Sequence, residues 1–445
     1  MSDELKPENE KGRCVTVAPA VPTNGEVFPD GSIVEPIRSS NGSLELMLWD
    51  GTSETTGSLI EHGGIKYEPA ATNRSLFQGL ILPTRCCPHG TTRQLLAEIR
   101  KLLEDFAGLP TMSASLAVRF VLCSWLVEAL QVAPALVLVG PDIERANRLV
   151  KLLRRLCRHS VFLTGVTPAG ICSLASGAQF TYIISQCSLS DKLWGLLNDA
   201  SIRDRKIPFR GRLLDLFGLQ VIHTDEVLAG ELWPPRSIQI SMVSTGQELP
   251  LFDAEILDQV TTDLQAKLLS FRRVNLGAAR RLQFDASKFA FALRDLARCM
   301  AAATPDDPAL QAEVIELLGD QDAEFRSEKW IDPNAIAGEA VQVACFESPG
   351  GVAYVSDLAE IAQEILRRRG GDSSIDPAVF GKRLKFLGFT TKRDAKGKKL
   401  QLTDAVRNRA EQLGRDFGSP EAGDDRQKDG RQKGMGAGPT DEVCT

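Results

Sequence analysis

Short apolar segments alternate with amphipathic ones from Ala135 to about Val243. The five apolar segments are ALVLVG, SVFLT, FTYII, GLQVIH and SIQISMV. Between them lie stretches with helical spacing, such as Ile143 to Cys157 and LSDKLWGLLND. Continuous apolar strands connected by helices are typical of parallel sheets that are buried on both faces. The sequence therefore predicts an α/β fold with a parallel sheet of about five strands.

The rest of the chain has other patterns. Residues 1–43 are rich in Pro, Gly, Ser, Asn and charge, which predicts a disordered arm, and residues 418–445 have the composition of a disordered tail. Apolar residues recur at helical spacing without interruption beyond Asp253. The predicted division is an arm (1–43), a small β-containing segment (44–90), the α/β domain (91–245), a helical domain (246–347), a basic domain (352–417) and the tail (418–445).

The segment 352–417 predicts a compact order of elements. SDLAEIAQEILRRRG and DPAVFGKRLKFLG have helical patterns, FTTKRDAKGKKLQL is typical of a two-stranded hairpin, and TDAVRNRAEQLGRDFG is again helical. Helix, helix, hairpin and helix is the order of a winged helix. In its second helix we expect Val379, Leu384 and Leu387 to face the core.

The turn after ALVLVG begins like a phosphate-binding loop. Such a P-loop needs G-x-x-x-x-G-K-[ST] directly after a buried strand, because glycine N–H groups surround the phosphates, the lysine neutralises them and the hydroxyl binds Mg²⁺. In this frame Gly140 is followed by Arg145, Ala146 and Asn147 at the positions of the second glycine, the lysine and the hydroxyl residue. Hydrolysis in this loop is not expected, because only the first glycine is present.

A second position gives the same result independently. P-loop ATPases have acids after a later strand, where they hold Mg²⁺ and activate water. Here FTYII is followed by Ser185 and Gln186. His223, Asp225 and Glu226 in VIHTDEV have no identifiable partner group, so we interpret them as part of a polar loop.

The order of a buried helix, ALVLVGP, RLVKLLRRLC, SVFLTGVTPAGICSL, FTYIISQ and DKLWGLLNDA resembles the AAA-like P-loop ATPase domains of helicase- and primase-associated proteins from phages and mobile elements. It is also similar to uncharacterised bacterial proteins in which these motifs are eroded. The resemblance covers roughly residues 91 to 245. It implies a P-loop NTPase-like sheet followed by a helical region and a winged helix, and it implies that Arg236 is a phosphate-sensing arginine before the last strand.

Positive charge is concentrated near the C-terminus. Residues 367–409 contain thirteen basic residues and four acids in a chain whose formal net charge is −6. The predicted DNA-binding residues lie on the second helix and the hairpin of the basic domain. They are Lys382, Arg383, Lys385, Lys392, Arg393, Lys396, Lys398 and Lys399. A solvated basic face and a protein-binding domain are the alternatives to DNA contact.

Three functions are consistent with these patterns. The first is a catalytically inactive P-loop ATPase-like protein that binds DNA through its winged helix, as a replication or mobile-element accessory factor. The second is a non-enzymatic scaffold with protein partners, and the third is an ATPase with rearranged ligands. No cofactor or metal is expected, and the absence of a long apolar segment and of a leader pattern predicts a cytoplasmic protein without membrane attachment.

Overall fold

The computed structural model describes residues 20–70, 77, 79–174, 177–186, 188–224, 236–244, 246, 248–329, 332–348, 350–369 and 374–417. The chain divides into two compact units, the first comprising Met1–Leu282 with Cys299–Gln311 and the second Gln283–Arg298 with Ala312–Thr445. The first 19 residues of the expected arm, the expected tail at 418–445, and Asp225 with Glu226 lie outside the described residues.

The first unit begins with two small sheets. Their strands are β1 (Val21–Thr23), β2 (Glu26–Val27), β3 (Ile33–Arg38), β4 (Leu44–Trp49), β5 (Glu54–Gly57), β6 (Ile60–His62) and β7 (Ile65–Pro69). One sheet has the order β2-β3-β4-β5 and the other β1-β7-β6. Val34, Leu46, Leu48, Ile60 and Tyr67 form their shared core. The expectation of a disordered arm is therefore wrong for residues 20–43, which contain three of these strands.

Buried charge explains why this segment is ordered. Glu35 of β3 is buried and accepts hydrogen bonds from Nε and Nη2 of Arg158 at 2.5 and 2.9 Å. Nε of Arg272 lies 3.2 Å from Oε2 of Glu35, the oxygen that Nη2 of Arg158 also contacts. Arg38, at the end of the strand, donates from its backbone N–H to the carbonyl of Pro83 at 3.0 Å. These partners are distant in sequence, so local composition does not reveal them.

The α/β part follows. Its helices are α1 (Thr92–Ala107), α2 (Thr111–Trp125), α3 (Ile143–Leu156), α4 (Pro168–Ser173) and α5 (Asp191–Ala200), with a 3-10 turn at Val127–Ala129. Helix α1 begins with the expected capping box, in which Thr91 and Gln94 bond each other's backbone N–H. Nearly every residue of α2 from Ala114 onward is buried, as its continuous apolar sequence requires.

The central sheet has five strands. They are β8 (Ala135–Val139), β9 (Ser160–Leu163), β10 (Thr181–Ser185), β13 (Leu219–His223) and β14 (Ser237–Ser241). A hairpin of β11 (Ile207–Phe209) and β12 (Arg212–Leu214) precedes β13. The sheet order is β14-β8-β13-β10-β9, and every neighbouring pair is parallel. The expected parallel sheet is confirmed, and with its flanking helices it fits an α/β P-loop-like fold.

A helical region follows the sheet. Its helices are α6 (Ala254–Arg281), α7 (Arg294–Ala302), α8 (Pro308–Ala312), α9 (Val314–Leu317), α10 (Gly319–Lys329) and α11 (Pro333–Glu347), with a 3-10 turn at Phe291–Leu293. It does not form the single domain expected for residues 246–347. Helix α6 belongs to the first unit, where it packs on α1, α2 and α3, and α11 belongs to the second. Helical periodicity identifies a buried face but does not identify what covers it.

The C-terminal part of the second unit has its own core. After α11 come β15 (Val352–Tyr354), α12 (Val355–Arg368), α13 (Pro377–Phe386), β16 (Thr391–Asp394), β17 (Gly397–Gln401) and α14 (Asp404–Phe417). The strands form an antiparallel sheet in the order β15-β17-β16. Ile336, Ala340 and Val341 of α11 share a core with Leu358 and Leu384. The predicted boundary at 352 is therefore wrong, because it removes a helix from this core.

Candidate functional site

The turn between β8 and α3 is short and closed. Gly140 has φ of 135°, and a Cβ atom at this position would lie 2.3 Å from the carbonyl oxygen of Met242. That carbonyl accepts the N–H of Asp142 at 3.1 Å, while Met242 donates its own N–H to Val139. Pro141 has no N–H to offer. The turn therefore lacks the circle of free N–H groups by which a P-loop surrounds a phosphate.

A carboxylate occupies the N-terminus of α3. Asp142 caps the helix by accepting the N–H of Arg145 at 3.0 Å. Its second oxygen lies 3.0 Å from Nε of Arg145, whose Nη1 donates to the carbonyl of Gly108 at 3.0 Å. The helix N-terminus is where an anion is favourable. In this chain the anion is a side chain of the protein itself, and Arg145 is buried against it.

The next two positions of the frame face away from the turn. Ala146, which stands at the lysine position, is fully buried in the core. Asn147, at the hydroxyl position, lies on the outer side of α3 along a depression of about 390 Å³ that Arg148 and Phe252 also line. Arg148 bonds Glu144 at 3.0 Å and the carbonyl of Pro250 at 2.7 Å. The residues of the frame thus point in different directions and do not form one site.

The carboxyl ends of β10 and β13 carry polar side chains. Ser185 and His223 are register partners on these strands, and Oγ of Ser185 lies 3.0 Å from Nδ1 of His223. The Gln186 side chain accepts the N–H of Val166 at 2.8 Å and donates to Ser188 at 2.8 Å. These groups order the loops at this edge. P-loop ATPases have acidic side chains at these two positions to hold Mg²⁺ and activate water, whereas Ser185 and Gln186 have no carboxylate.

Arg236 lies at the amino ends of the parallel strands, opposite the end where Gly140 lies. Its carbonyl accepts the N–H of Ala135, the first residue of β8, at 3.2 Å. Gly140 follows the last residue of the same strand, roughly 16 Å away at the usual rise per residue. The expectation that Arg236 senses phosphate beside Gly140 is wrong. Arg236 directly precedes its strand and so lies at the amino ends of the parallel strands, whereas Gly140 follows its strand and lies at the carboxyl ends.

The predicted DNA-binding residues lie on α13 and on the β16–β17 hairpin. Asp376 caps α13 and Pro377 follows at its first position, a combination that favours helix initiation here. Phe380 and Leu384 face the core, whereas Lys382 and Lys385 are exposed and Arg383 is half-buried. Val379 is 51% exposed, so its predicted core position is wrong. Phe380 occupies the core instead.

Seven of the eight predicted cations are unpaired within the part of the chain that the structure describes. They are Lys382, Arg383, Lys385, Lys392, Arg393, Lys396 and Lys398. Lys399 differs, because it lies 2.9 Å from Asp394. The other basic residues between positions 367 and 409 have partners: Arg367, Arg368 and Arg369 pair with glutamates, and Arg407 and Arg409 bond carbonyl groups.

The hairpin brings like charges together. Lys392 stands opposite Lys399, and Arg393 stands opposite Lys398. Asp394 holds the turn, since its Oδ1 accepts the N–H groups of Lys396 and Gly397 at 2.9 and 3.2 Å. The hydrogen bond from the side chain of Lys399 is the main reason that the pKa of Asp394 lies below its usual value. The ordered hairpin therefore holds cationic side chains opposite each other.

Two features escaped the sequence analysis. Asp142 was not recognised as the group that fills the helix N-terminus, although aspartate directly before a helix is a common cap signal. Phe386 was not recognised as exposed, although the helical spacing of Phe380, Leu384 and Leu387 puts these three residues on one face and leaves Phe386 off it. Among the described residues there is no group of three or more His, Cys, Asp or Glu side chains that could hold a metal ion. None of the described helices combines the length and hydropathy needed to cross a bilayer.

Comparisons with known proteins give distant likenesses only. No protein-family model matches the sequence, and no curated protein matches it. Among solved structures, the C-terminal region of NrS-1 is similar over 83% of this chain and 96% of its own, with 13% identity and a TM-score of 0.34. A full-length MCM homolog from Methanopyrus kandleri is similar over 64% of this chain and 77% of its own, with 10% identity and a TM-score of 0.34. Cdc6p from Pyrobaculum aerophilum is similar over 80% of this chain and 98% of its own, with 10% identity and a TM-score of 0.19. At scores this low the strand order and register, not the likeness, define the fold.

Proposed function

We propose that this chain is a non-hydrolysing P-loop-like protein that binds DNA through its C-terminal basic domain. The observation that carries the proposal is the set of seven cations that have no ion-pair partner in the described residues. The cross-strand pair of Arg393 and Lys398 in the hairpin is cationic on both sides without an ion-pair partner in the described part of the chain, and such a pair destabilises a hairpin. A phosphate backbone would remove this repulsion, because each phosphate contacts and neutralises a cation.

The order of elements supports DNA as the ligand. Strand, helix, helix and hairpin, followed by α14, is the order of a winged helix, in which the second helix contacts DNA and the hairpin lies along the backbone. In this chain the unpaired cations lie on those two elements, α13 and the β16–β17 hairpin. A generally solvated basic surface would not concentrate them there while pairing Arg367 and Arg368 with Glu364 on α12.

The α/β part supports the absence of hydrolysis. In open parallel sheets, ligands bind outside the carboxyl ends of the strands where neighbouring connections diverge. Here the chain leaves β8 toward the β9 edge and leaves β13 toward the β14 edge, so that position is the turn at Gly140. The turn is closed by Met242, and Asp142 places a negative charge where a phosphate would stand. We infer that the α/β part has a structural role.

Salt-dependent DNA binding tests the proposal. We expect the full chain to bind a labelled duplex in fluorescence anisotropy, with an affinity that falls steeply between about 50 and 200 mM salt. Replacing Lys382 and Lys385 together with alanine should weaken binding and flatten the log–log slope by roughly 0.9 for each lost contact. The matched control is Arg367→Ala with Arg368→Ala, which removes the same charge from exposed but paired positions and should change the slope little.

Absence of binding at roughly 50 mM salt, where screening is weakest, would contradict DNA binding. In that case the basic domain would be a surface for an acidic protein partner, and the chain would be a scaffold. Equal effects of the two double substitutions would show that only net charge matters and that α13 is not the contact surface.

A further inference from the structure

Helix α13 exposes an apolar strip between its lysines. Phe386 is 81% exposed and Val379 is 51% exposed. They are seven residues apart, which puts them two turns apart on one side of the helix, with Lys382 between them. Lys385 is also exposed and lies beside Phe386 in sequence. The opposite side of the helix packs on the core through Phe380 and Leu384.

Phosphate contacts do not require this strip. Cations and polar donors suffice to bind a DNA backbone, and an intact duplex keeps the faces of its bases stacked on one another. An unpaired base has a free face, and an aromatic ring surrounded by cations is the usual partner of such a base. The strip is about 10 Å long, which is the length of about three stacked nucleotides.

We propose that α13 binds a single-stranded segment of DNA, with Phe386 stacked on an unpaired base and Lys382 and Lys385 on the neighbouring phosphates. This inference rests on the proposed DNA binding and names the form of DNA that the surface binds most tightly. Charge complementarity selects the ligand, since exposed Lys382 lies one turn before Phe386 on this face and exposed Lys385 adjoins Phe386 in sequence. Val379 lies at the other end of the strip, where it contacts a second base through its methyl groups.

The test compares two labelled probes with the full-length protein, a blunt duplex and the same duplex with a single-stranded tail. We expect the tailed probe to bind more tightly than the blunt one. Phe386→Ala should remove most of this preference, a loss of about 5- to 100-fold on the tailed probe, while affinity for the blunt duplex and its salt slope stay unchanged. Phe386→Trp should retain the preference, because a larger aromatic ring still stacks.

Phe291→Ala is the matched control, since Phe291 is also well exposed but lies outside the basic domain. It should leave both probes unaffected. Equal affinities for the two probes, or a Phe386→Ala variant that keeps the preference, would overturn the single-strand inference while leaving duplex binding intact. A Phe386→Ala variant that loses affinity for both probes equally would also overturn it, because the ring would then act as a wedge in the duplex. Absence of binding to either probe would reject the proposed function as well.

Discussion

The carboxylate of Asp142 lies 3.0 Å from Nε of Arg145, and the same side chain caps the helix to which that arginine belongs. A nucleotide phosphate would have to displace the carboxylate of Asp142 and to bind the guanidinium of Arg145. These two groups already neutralise each other. Arg145 stands at the position where a P-loop has its second glycine, and its side chain is buried there. Residues 140–147 therefore form a packed helix start.

The first prediction concerns nucleotides. Neither the full chain nor Asp142→Ala should release phosphate from ATP or GTP with Mg²⁺ above a buffer blank, because removing the carboxylate does not restore a lysine or a Mg²⁺ ligand. Asp142→Ala should lower the free energy of unfolding by about 1 kcal/mol through loss of the cap. Asp142→Asn, which keeps the cap, serves as control. Phosphate release that disappears in Arg145→Ala would contradict the assignment.

A second prediction concerns the buried ion cluster. Glu35 is buried with Arg158 and Arg272, which also contact Glu128, so replacing Glu35 with glutamine leaves two guanidinium groups with a single carboxylate. We expect Glu35→Gln to lower the free energy of unfolding by about 3–5 kcal/mol in a denaturant titration. Glu61→Gln makes the same change at an exposed position of β6 and should stay within about 0.5 kcal/mol of the unsubstituted protein. Similar values for the two variants would show that β3 is only loosely attached.

A third prediction concerns pH. Burial, and then the charge of Arg158, hold the pKa of His159 below its usual value, so the folded protein keeps this ring neutral. The unfolded chain takes up a proton below about pH 6.5, which makes stability fall as pH decreases from 7 to 5. His159→Asn should reduce this fall, since asparagine does not titrate and tolerates the positive φ of 46° at this position. Urea titrations at several pH values provide the measurement, and an unchanged pH dependence in the variant would contradict the assignment.

Carboxylates act in the same direction at lower pH. Burial alone would raise the pKa of Glu128, but Arg158 and Arg272 outweigh it and lower the pKa to about 2. A group with a depressed carboxylate pKa stabilises the fold above its unfolded value and loses that contribution as pH falls toward its folded value. The acid unfolding of the first unit should therefore extend over the range between about pH 4.5 and 2, below the range set by His159.

The central sheet was predictable because its strands are continuous apolar runs separated by helices, and this pattern depends only on neighbours in the sequence. The order of β3 was not predictable, because IVEPIR contains a glutamate and a proline that argue against a buried strand. The buried charge of this glutamate is compensated by Arg158 and Arg272, which are more than 120 residues away. No local pattern contains that information.

Several features of the candidate sites, in contrast, could be read from the sequence. The absence of the P-loop lysine and of the acids could be read from Ala146, Ser185 and Gln186 alone. The separation of Arg236 from Gly140 also follows from the predicted parallel sheet, because Arg236 precedes its strand and Gly140 follows its own; β14 and β8 are indeed parallel. For α13 the spacing of Phe380, Leu384 and Leu387 already places these residues on one face, and only the helix that covers this face, α11, had to be found in the structure.

A fourth prediction follows from that core. A fragment that spans residues 333–417 should unfold cooperatively, whereas residues 352–417 alone should not, because α11 contributes Ile336, Ala340 and Val341 to the interior. Circular dichroism during heating distinguishes the two fragments. A cooperative transition in the shorter fragment would show that α11 covers a core that is already stable.

The last prediction tests whether the hairpin sacrifices stability for binding. Arg393 and Lys398 stand directly opposite each other on β16 and β17, so Lys398→Glu converts a repulsive cross-strand pair into an attractive one. This change should stabilise the fragment 333–417 by about 0.2–1 kcal/mol, visible as a rise of a few degrees in Tm. The same substitution in the full chain should weaken DNA binding and flatten its salt dependence, because a phosphate contact is replaced by a repelling carboxylate. Lys398→Gln separates the two effects: it should give a smaller gain in Tm and a smaller loss of affinity. A variant that becomes more stable without losing affinity would mean that the hairpin is not a DNA contact, and the unpaired cations of α13 alone would then have to account for binding.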